Sequence, residues 1–265
     1  MKFFKKSLGQ NFLIEKNIIK KIVNSVNLKN RNVLEIGPGK GALTDEIIKK
    51  NPKTLILIEK DFELVKYLNK KYIFNKNVKI INSDILKINL RKFLKEEVSI
   101  LGNLPYNISS QIFIKILKDE QINKNIKHLV LMFQKELGEK IIAKYPSKNY
   151  GRLSIIANFK LRVVDKFLVS NNCFFPKPKI TSIVIHFKTY KNKNFYIKNM
   201  SNLEKITNIL FSNKRKMINK SIKKILNEYD LKKLPELKLN LRAENIEPNI
   251  FYKITEIYEA NKDQY

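Results

Sequence analysis

Tryptophan is absent from the 265 residues, and cysteine occurs once, at Cys173. A single thiol excludes an intrachain disulfide and leaves no Cys-rich zinc pattern, so no metal site is read and a reducing compartment is the simplest setting. Histidine is nearly as scarce. His128 and His186 both fall in strand patterns with no matching acid or serine constellation, which favours core or edge positions over catalysis. No apolar run reaches 18 residues, and the basic N-terminus lacks the long apolar stretch of a secretory signal. A soluble, cytoplasmic protein without a membrane partner is therefore expected. Acidic residues are also few, 24 against 53 Lys plus Arg, for a formal net charge of +29. Solubility needs far less, and such a surface attracts polyphosphate by steering and counterion release. Because Lys, Asn and Ile are abundant throughout, clustering is more informative than the total. Residues 1–31 hold eight basic residues and one acid, Glu15; residues 212–224 (SNKRKMINKSIKK) hold six and no acid.

Glycine numbers only seven, and three of those stand together in VLEIGPGKGALT, residues 33–44. A β-branched, apolar run meets Gly37, Gly39 and Gly41 and opens into a helical pattern, which reads as strand, loop, helix. Such glycines allow close backbone approach to a ligand and place N–H groups at it. The spacing G-x-G-x-G departs from the G-x-G-x-x-G of the dinucleotide fingerprint. Glu59 closes a second apolar strand 22 residues beyond Gly37, where an acid can accept both hydroxyls of a ribose. Asp84 follows a third strand and is placed to accept from an adenine amino group. Acids at successive strand ends describe a nucleoside site on the carboxyl edge of a parallel sheet.

GNLPYNISS, residues 102–110, follows a fourth apolar run. The Asn103 amide oxygen and the Leu104 carbonyl could each accept one N–H of an exocyclic amine and aim its lone pair outward, which is positioning without a strong base. Pro105 has a fixed φ and biases Leu104 toward extended backbone. Tyr106 offers a flat face for a base. Taken alone, Asn-Leu-Pro-Tyr also reads as a simple turn after a strand.

Seven segments together resemble the ribosomal RNA adenine N6,N6-dimethyltransferases: SLGQNFL (7–13), EIGPGKG (35–41), IEKD (58–61), NSDIL (82–86), NLPYNISS (103–110), FFPKPKITS (174–182) and RAENI (242–246). The resemblance spans nearly the whole chain. It implies a class I methyltransferase fold, S-adenosylmethionine as methyl donor, and cofactor contacts at Asn11, Leu13, Gly37, Glu59, Asp84 and Asn103. It further implies that Asn103 orients the target amine and that Tyr106 and Phe174, the first residue of the F-x-P-x-P-K element, sandwich the flipped base. The implied partner is small-subunit ribosomal RNA in an immature small subunit, dimethylated at two adjacent adenosines near its 3′ end. Nothing in the chain demands a dimer, and a monomer is expected. Ile180 stands where Val is commoner, a change that keeps volume and shape class. Cys173 adjoins Phe174, but amine methylation needs no thiol, so packing is its expected role.

Three alternatives remain open. A resistance-type methyltransferase of large-subunit RNA shares the NLPY and F-x-P-x-P-K elements, although it usually lacks a segment like Arg242-Ala243-Glu244. A factor that retains the fold without catalysis would bind cofactor and RNA and form no product. A dehydrogenase would bind a dinucleotide, against the glycine spacing.

The pattern changes near residue 189. Strands are expected at 32–36, 54–58, 78–81, 98–102, 127–133, 161–168 and 181–188, alternating with helices, so the fold class is α/β: a Rossmann-like seven-stranded sheet with a small all-helical C-terminal domain. A methyltransferase domain, 1–189, would carry a basic N-terminal lid. A polar linker, 190–199, would lead into helices near 201–211, 214–227 and 249–260 in an RNA-docking domain, 190–265. Ile18, Ile19, Ile22, Val23 and Val26 mark an amphipathic helix ahead of the sheet. Ile218, Ile222, Ile225 and Leu226 repeat at helical spacing with lysines between, so one face can pack while the other meets phosphate.

Overall fold

The structure, a computed structural model, describes residues 11–119, 122–213 and 215–262. The basic segment ahead of Asn11, expected as a lid, lies outside them. The described residues divide into two compact units, one running to Gly138 and joined by Arg162–Thr189, the other formed by Glu139–Leu161 and the chain from Tyr190. The second unit thus takes in a segment, 139–161, on the N-terminal side of residue 189.

The first unit is a seven-stranded sheet. Its strands are β2 (Asn32–Ile36), β3 (Thr54–Glu59), β4 (Val78–Asn82), β5 (Val98–Asn103), β6 (Ile126–Gln134), β7 (Leu161–Val169) and β9 (Ser182–Thr189). Each starts and ends within a residue or two of the expected run. The order is β4-β3-β2-β5-β6-β9-β7, with β4 through β6 parallel and β9 antiparallel to β6. Near-continuous apolar runs such as TLILIE and VSILGN suit strands covered on both faces. A further two-residue pair, β1 (Phe12–Leu13) with β8 (Phe174–Phe175), was not expected from the pattern. Helix α1 (Lys16–Asn24) buries Ile19, Ile22 and Val23, as its periodicity requires, and Glu15 caps it by accepting from the Asn17 N–H. Helices α2 (Ala42–Ile48), α3 (Phe62–Lys71) and α4 (Ser109–Lys118) follow β2, β3 and β5.

Chain progression along the sheet reverses between β2 and β5. From β2 the chain steps outward to β3 and β4, then returns to β5 and β6 on the other side. Crevices form outside the carboxyl ends of parallel strands at such a reversal. Gly102 lets β2 and β5 close up there. A Cβ on it would lie 2.8 Å from the Ile36 carbonyl oxygen and 3.2 Å from Leu104.

His128 and His186 sit on neighbouring strands with Nδ1 and Nε2 2.9 Å apart. Burial chiefly lowers both pKa values, that of His186 to about 4, so two neutral rings share one proton-donating contact inside the sheet. Buried His186 and half-buried His128 thus take the core or edge positions expected of them.

The second unit is helical. Helices Arg152–Lys160, Met200–Phe211 and Pro248–Lys262 carry it. Tyr252 lies at the centre, donating its hydroxyl to the Ile155 carbonyl at 3.0 Å with its ring against Phe159 and Phe195. The Glu259 carboxylate accepts from the Lys198 and Asn199 backbone N–H groups and the Asn202 amide, and so ends the linker. The helix expected over 214–227 is shorter: Lys214 lies outside the described residues, and only Asn219–Ile222 is α-helical. Ile218, Ile222 and Leu226 are nonetheless buried, so the apolar spacing marks a packed face more faithfully than a helix length. The short helix Glu228–Lys232 follows, announced by a capping box between Asn227 and Asp230. Met217 bridges to Arg242, so the basic run and the RAENI segment are neighbours.

One ionisable residue is enclosed where β2 meets α2. Glu35 is 1% exposed, and its Oε2 accepts from the Thr44 hydroxyl at 2.7 Å. Burial, opposed by the Thr44 bond and reinforced by Asp45 and Glu59, pushes its carboxyl up to about 8. The folded state therefore keeps a proton that the unfolded chain releases near its ordinary pKa of 4.5. Stability attributable to this residue is intact below that value and declines as pH rises toward 8. Glu35→Gln, which keeps an acceptor for Thr44, is expected to gain stability relative to the wild type between pH 5 and 8, read as urea midpoints; parallel pH profiles would contradict a buried protonated acid. Gly102→Ala is expected to cost about 1–3 kcal/mol by overpacking the β2–β5 contact, and an unchanged midpoint would show that the contact has slack.

Candidate active site

The carboxyl ends of β2, β3 and β5 open onto a cavity of about 730 Å³. Asn11, Leu13, Gly37, Glu59, Asp84 and Asn103, six positions scattered over 93 residues of sequence, all line it, as do Leu104 and Tyr106. Such a volume is typical of a nucleoside-sized ligand pocket.

The glycine loop works differently from the expectation that its N–H groups face a ligand. Gly37, Gly39 and Gly41 all have positive φ. Gly37 N–H donates to the Ile58 carbonyl of β3 and Gly41 N–H to the Pro38 carbonyl, so both are bonded within the protein. Gly39 N–H donates to Glu59 Oε2 at 3.2 Å. The other oxygen of Glu59 accepts from the backbone of Lys60 and Asp61 at 2.8 and 2.9 Å. Three N–H groups thus orient this buried carboxylate. Desolvation pushes its pKa up, and the three bonds pull it back.

Asp84 sits in a contrasting setting. Lys60 pairs with its Oδ2 at 2.9 Å, and the Leu86 N–H donates to Oδ1 at 2.9 Å. The Lys60 bond leads in holding this carboxyl below its ordinary range. Behind it, Lys115 on α4 donates to the Leu86 and Ile88 carbonyls at 2.8 and 2.7 Å, riveting the turn that presents Asp84. Nothing in the local sequence around Lys115 signals this role.

Asn103 ends β5. Its side-chain amide donates to the Asn11 carbonyl at 2.9 Å, which leaves Oδ1 as the acceptor of that amide. Pro105 then turns the chain, and the Tyr106 hydroxyl lies 2.5 Å from Ser182 Oγ at the start of β9. Burial raises the Tyr106 pKa, so the phenol stays protonated.

Phe174 is placed otherwise than expected of an open stacking face. It pairs with Leu13 across β1 and β8, is 3% exposed, and is not among the cavity-lining residues. Strand alternation turns its neighbour Phe175 the other way, 43% exposed. Cys173 packs against the same core cluster, the packing role expected of it.

Comparison with known proteins agrees with this architecture. The family described as ribosomal RNA adenine dimethylase matches residues 1–260. A ribosomal RNA small subunit methyltransferase A from Pelagibacter ubique is 44% identical over 256 residues, 96% of this chain and 97% of that one. One from Malacoplasma penetrans is 41% identical, covering 96% and 92%. Among solved structures, a dimethyladenosine transferase from Plasmodium falciparum superposes with a TM-score of 0.78 at 26% identity, over 96% of this chain and 98% of the other. The 23S rRNA methyltransferase ErmE shares the fold, with a TM-score of 0.69 at 22% identity over 94% and 100%. With its signature residues gathered on one crevice and the family match running over nearly its full length, the chain belongs to the ribosomal RNA adenine dimethylase family.

Proposed function

We propose that this protein uses S-adenosylmethionine to dimethylate N6 of two adjacent adenosines near the 3′ end of small-subunit ribosomal RNA. The observation that carries the reading is the Asn103-Leu104-Pro105-Tyr106 turn at the reversal point of the sheet, with the Asn103 amide already oriented by Asn11. The small-subunit name of relatives at 44% and 41% identity supports that substrate over large-subunit RNA, as does the presence of Arg242-Ala243-Glu244.

The donor set of the cavity fits the cofactor. Glu59, held by three N–H groups, would accept the ribose hydroxyls, Asp84 the adenine amino group, and Asn11, Leu13, Gly37 and Asn103 would complete the enclosure. When bound, the cofactor supplies an electrophilic sulfonium methyl. Adenine N6 is a weak nucleophile because its lone pair is delocalised into the ring, so the protein's task is geometric. Asn103 Oδ1 and the Leu104 carbonyl each accept one N–H, turning the lone pair outward, and the proton leaves to solvent. Tyr106 offers its ring to the flipped base, with stacking typically worth roughly 1–3 kcal/mol. Phe174 joins from the other side only if its contact with Leu13 opens.

RNA docking falls to basic surface, including the run at 212–224 in the helical unit. The protein acts as a monomer in the cytoplasm. Every cavity-lining residue comes from a single compact unit of one chain, and no described helix is long and apolar enough to cross a membrane.

Labelled methyl transfer to unmethylated small ribosomal subunits, with large subunits in parallel and the modified bases identified by mass spectrometry, tests the reading. Dimethyladenosine confined to small-subunit RNA is expected; product in large-subunit RNA, or none despite cofactor binding, would overturn it. Asn103→Ala is expected to keep the fold by circular dichroism and lower turnover about 10²- to 10³-fold, the scale for loss of one preorganised polar contact. Unchanged turnover would remove Asn103 from the mechanism.

A further inference from the structure

Ser182 stands outside the cavity lining, fully buried at the first position of β9, where it pairs across the ladder with Gln134. Its hydroxyl lies 2.5 Å from that of Tyr106, a contact spanning 76 residues of sequence. We propose that Ser182 is a positioning residue that sets the plane of the Tyr106 ring, and with it the angle at which the target base is presented. This rests on the proposed role of Tyr106 as the stacking face.

The argument is one of constraint. A tyrosine on a turn has two rotatable side-chain bonds, and a base stacked on it inherits whatever freedom they keep. The backbone end of Tyr106 is held, because its carbonyl accepts from the Ser109 hydroxyl at 3.2 Å and the Pro105 carbonyl accepts from the Ile108 N–H. Among the described residues, Ser182 alone holds the far end of the ring, through its hydroxyl. Ser182 is itself held by its strand. It lies in a strand paired with β6, and the preceding Thr181 carbonyl accepts from the Lys135 N–H. The ring is thereby fixed at both ends against the sheet that carries Asn103. A base misaligned by a fraction of an ångström places N6 off the line of transfer, so the bond acts on turnover more than on cofactor affinity.

The test is a double-mutant cycle on methyl transfer with Ser182→Ala and Tyr106→Phe, which remove the same bond from opposite sides and keep an aromatic ring at position 106. Each single variant is expected to lower kcat on small-subunit RNA roughly three- to tenfold, the scale of one hydrogen bond, with the KM for S-adenosylmethionine within about twofold of wild type. Ser182→Ala in the Tyr106→Phe background is expected to cost nothing further. Independent, multiplying losses in the double variant would overturn the proposal, as would an unchanged kcat in Ser182→Ala. A rise in the cofactor KM or a lowered melting temperature that accounts for the loss would assign Ser182 to packing instead. If the wild type forms no methyladenosine at all, the underlying reading of the site has failed rather than the role of Ser182.

Discussion

The hydrogen bond from the Asn103 amide to the Asn11 carbonyl is the constraint on which the site depends. An amide has two donors and one acceptor oxygen, and engaging the nitrogen decides which way the oxygen faces. In solution that choice would be made afresh at each encounter with substrate. Here it is made by folding, because β5 fixes the Asn103 backbone and the β1–β8 pair fixes the segment carrying Asn11. Three stretches far apart in sequence are tied together in this way. Residues 11–13 bond to 103, pair with 174–175, and the chain leading on from 175 returns at Ser182 to hold Tyr106.

Two carboxylates at neighbouring strand ends illustrate how environment divides labour between similar groups. Glu59 is buried and surrounded by backbone donors, so its charge is expensive and its geometry rigid. Asp84 meets the Lys60 ammonium, so its charge is cheap and one of its oxygens is engaged by an exposed partner. A ribose diol needs two fixed acceptors, which suits the first. On the proposed reading, the adenine amino group would compete with Lys60 for the second, and affinity there would be set by exchange of one hydrogen bond for another, a small net difference.

Much of this was legible beforehand, for reasons that differ between elements. Buried parallel strands are written as apolar runs, and all seven were found within two residues of their ends. Gly37, Glu59, Asp84 and Asn103 are legible from strand-end position, whereas Asn11 and Leu13 come from the resemblance alone. What was illegible depends on long-range pairing. Lys115 and Ser182 are ordinary residues in the sequence, and only the fold brings one beneath Leu86 and the other against Tyr106. The glycine loop departs in part from its sequence reading, since the glycine N–H groups expected at a ligand are bonded within the protein, one of them to Glu59. The helix expected over 214–227 failed because period alone registers which side chains are buried, and a run of turns with buried Ile218, Ile222 and Leu226 satisfies it equally.

The two phenylalanines of the F-x-P-x-P-K element show how a two-residue strand controls access to a ring. Residues facing each other across β1 and β8 are Leu13 with Phe174 and Phe12 with Phe175, and alternation sends the first pair into the core and leaves Phe175 partly open. For Phe174 to stack on a base, the Leu13 contact must part, exposing apolar surface that burial otherwise stabilises by about 1.5–3 kcal/mol for a side chain of this size. A stacked base recovers a similar amount, roughly 1–3 kcal/mol. The two terms nearly cancel, so opening is neither prohibitive without RNA nor free with it, and substrate can drive it at little net cost. Leu13 lines the cavity as well as touching Phe174. On the proposed reading, movement at that one side chain would link the cofactor space to the base-stacking face, so the β1–β8 pair is where the two halves of the reaction would meet.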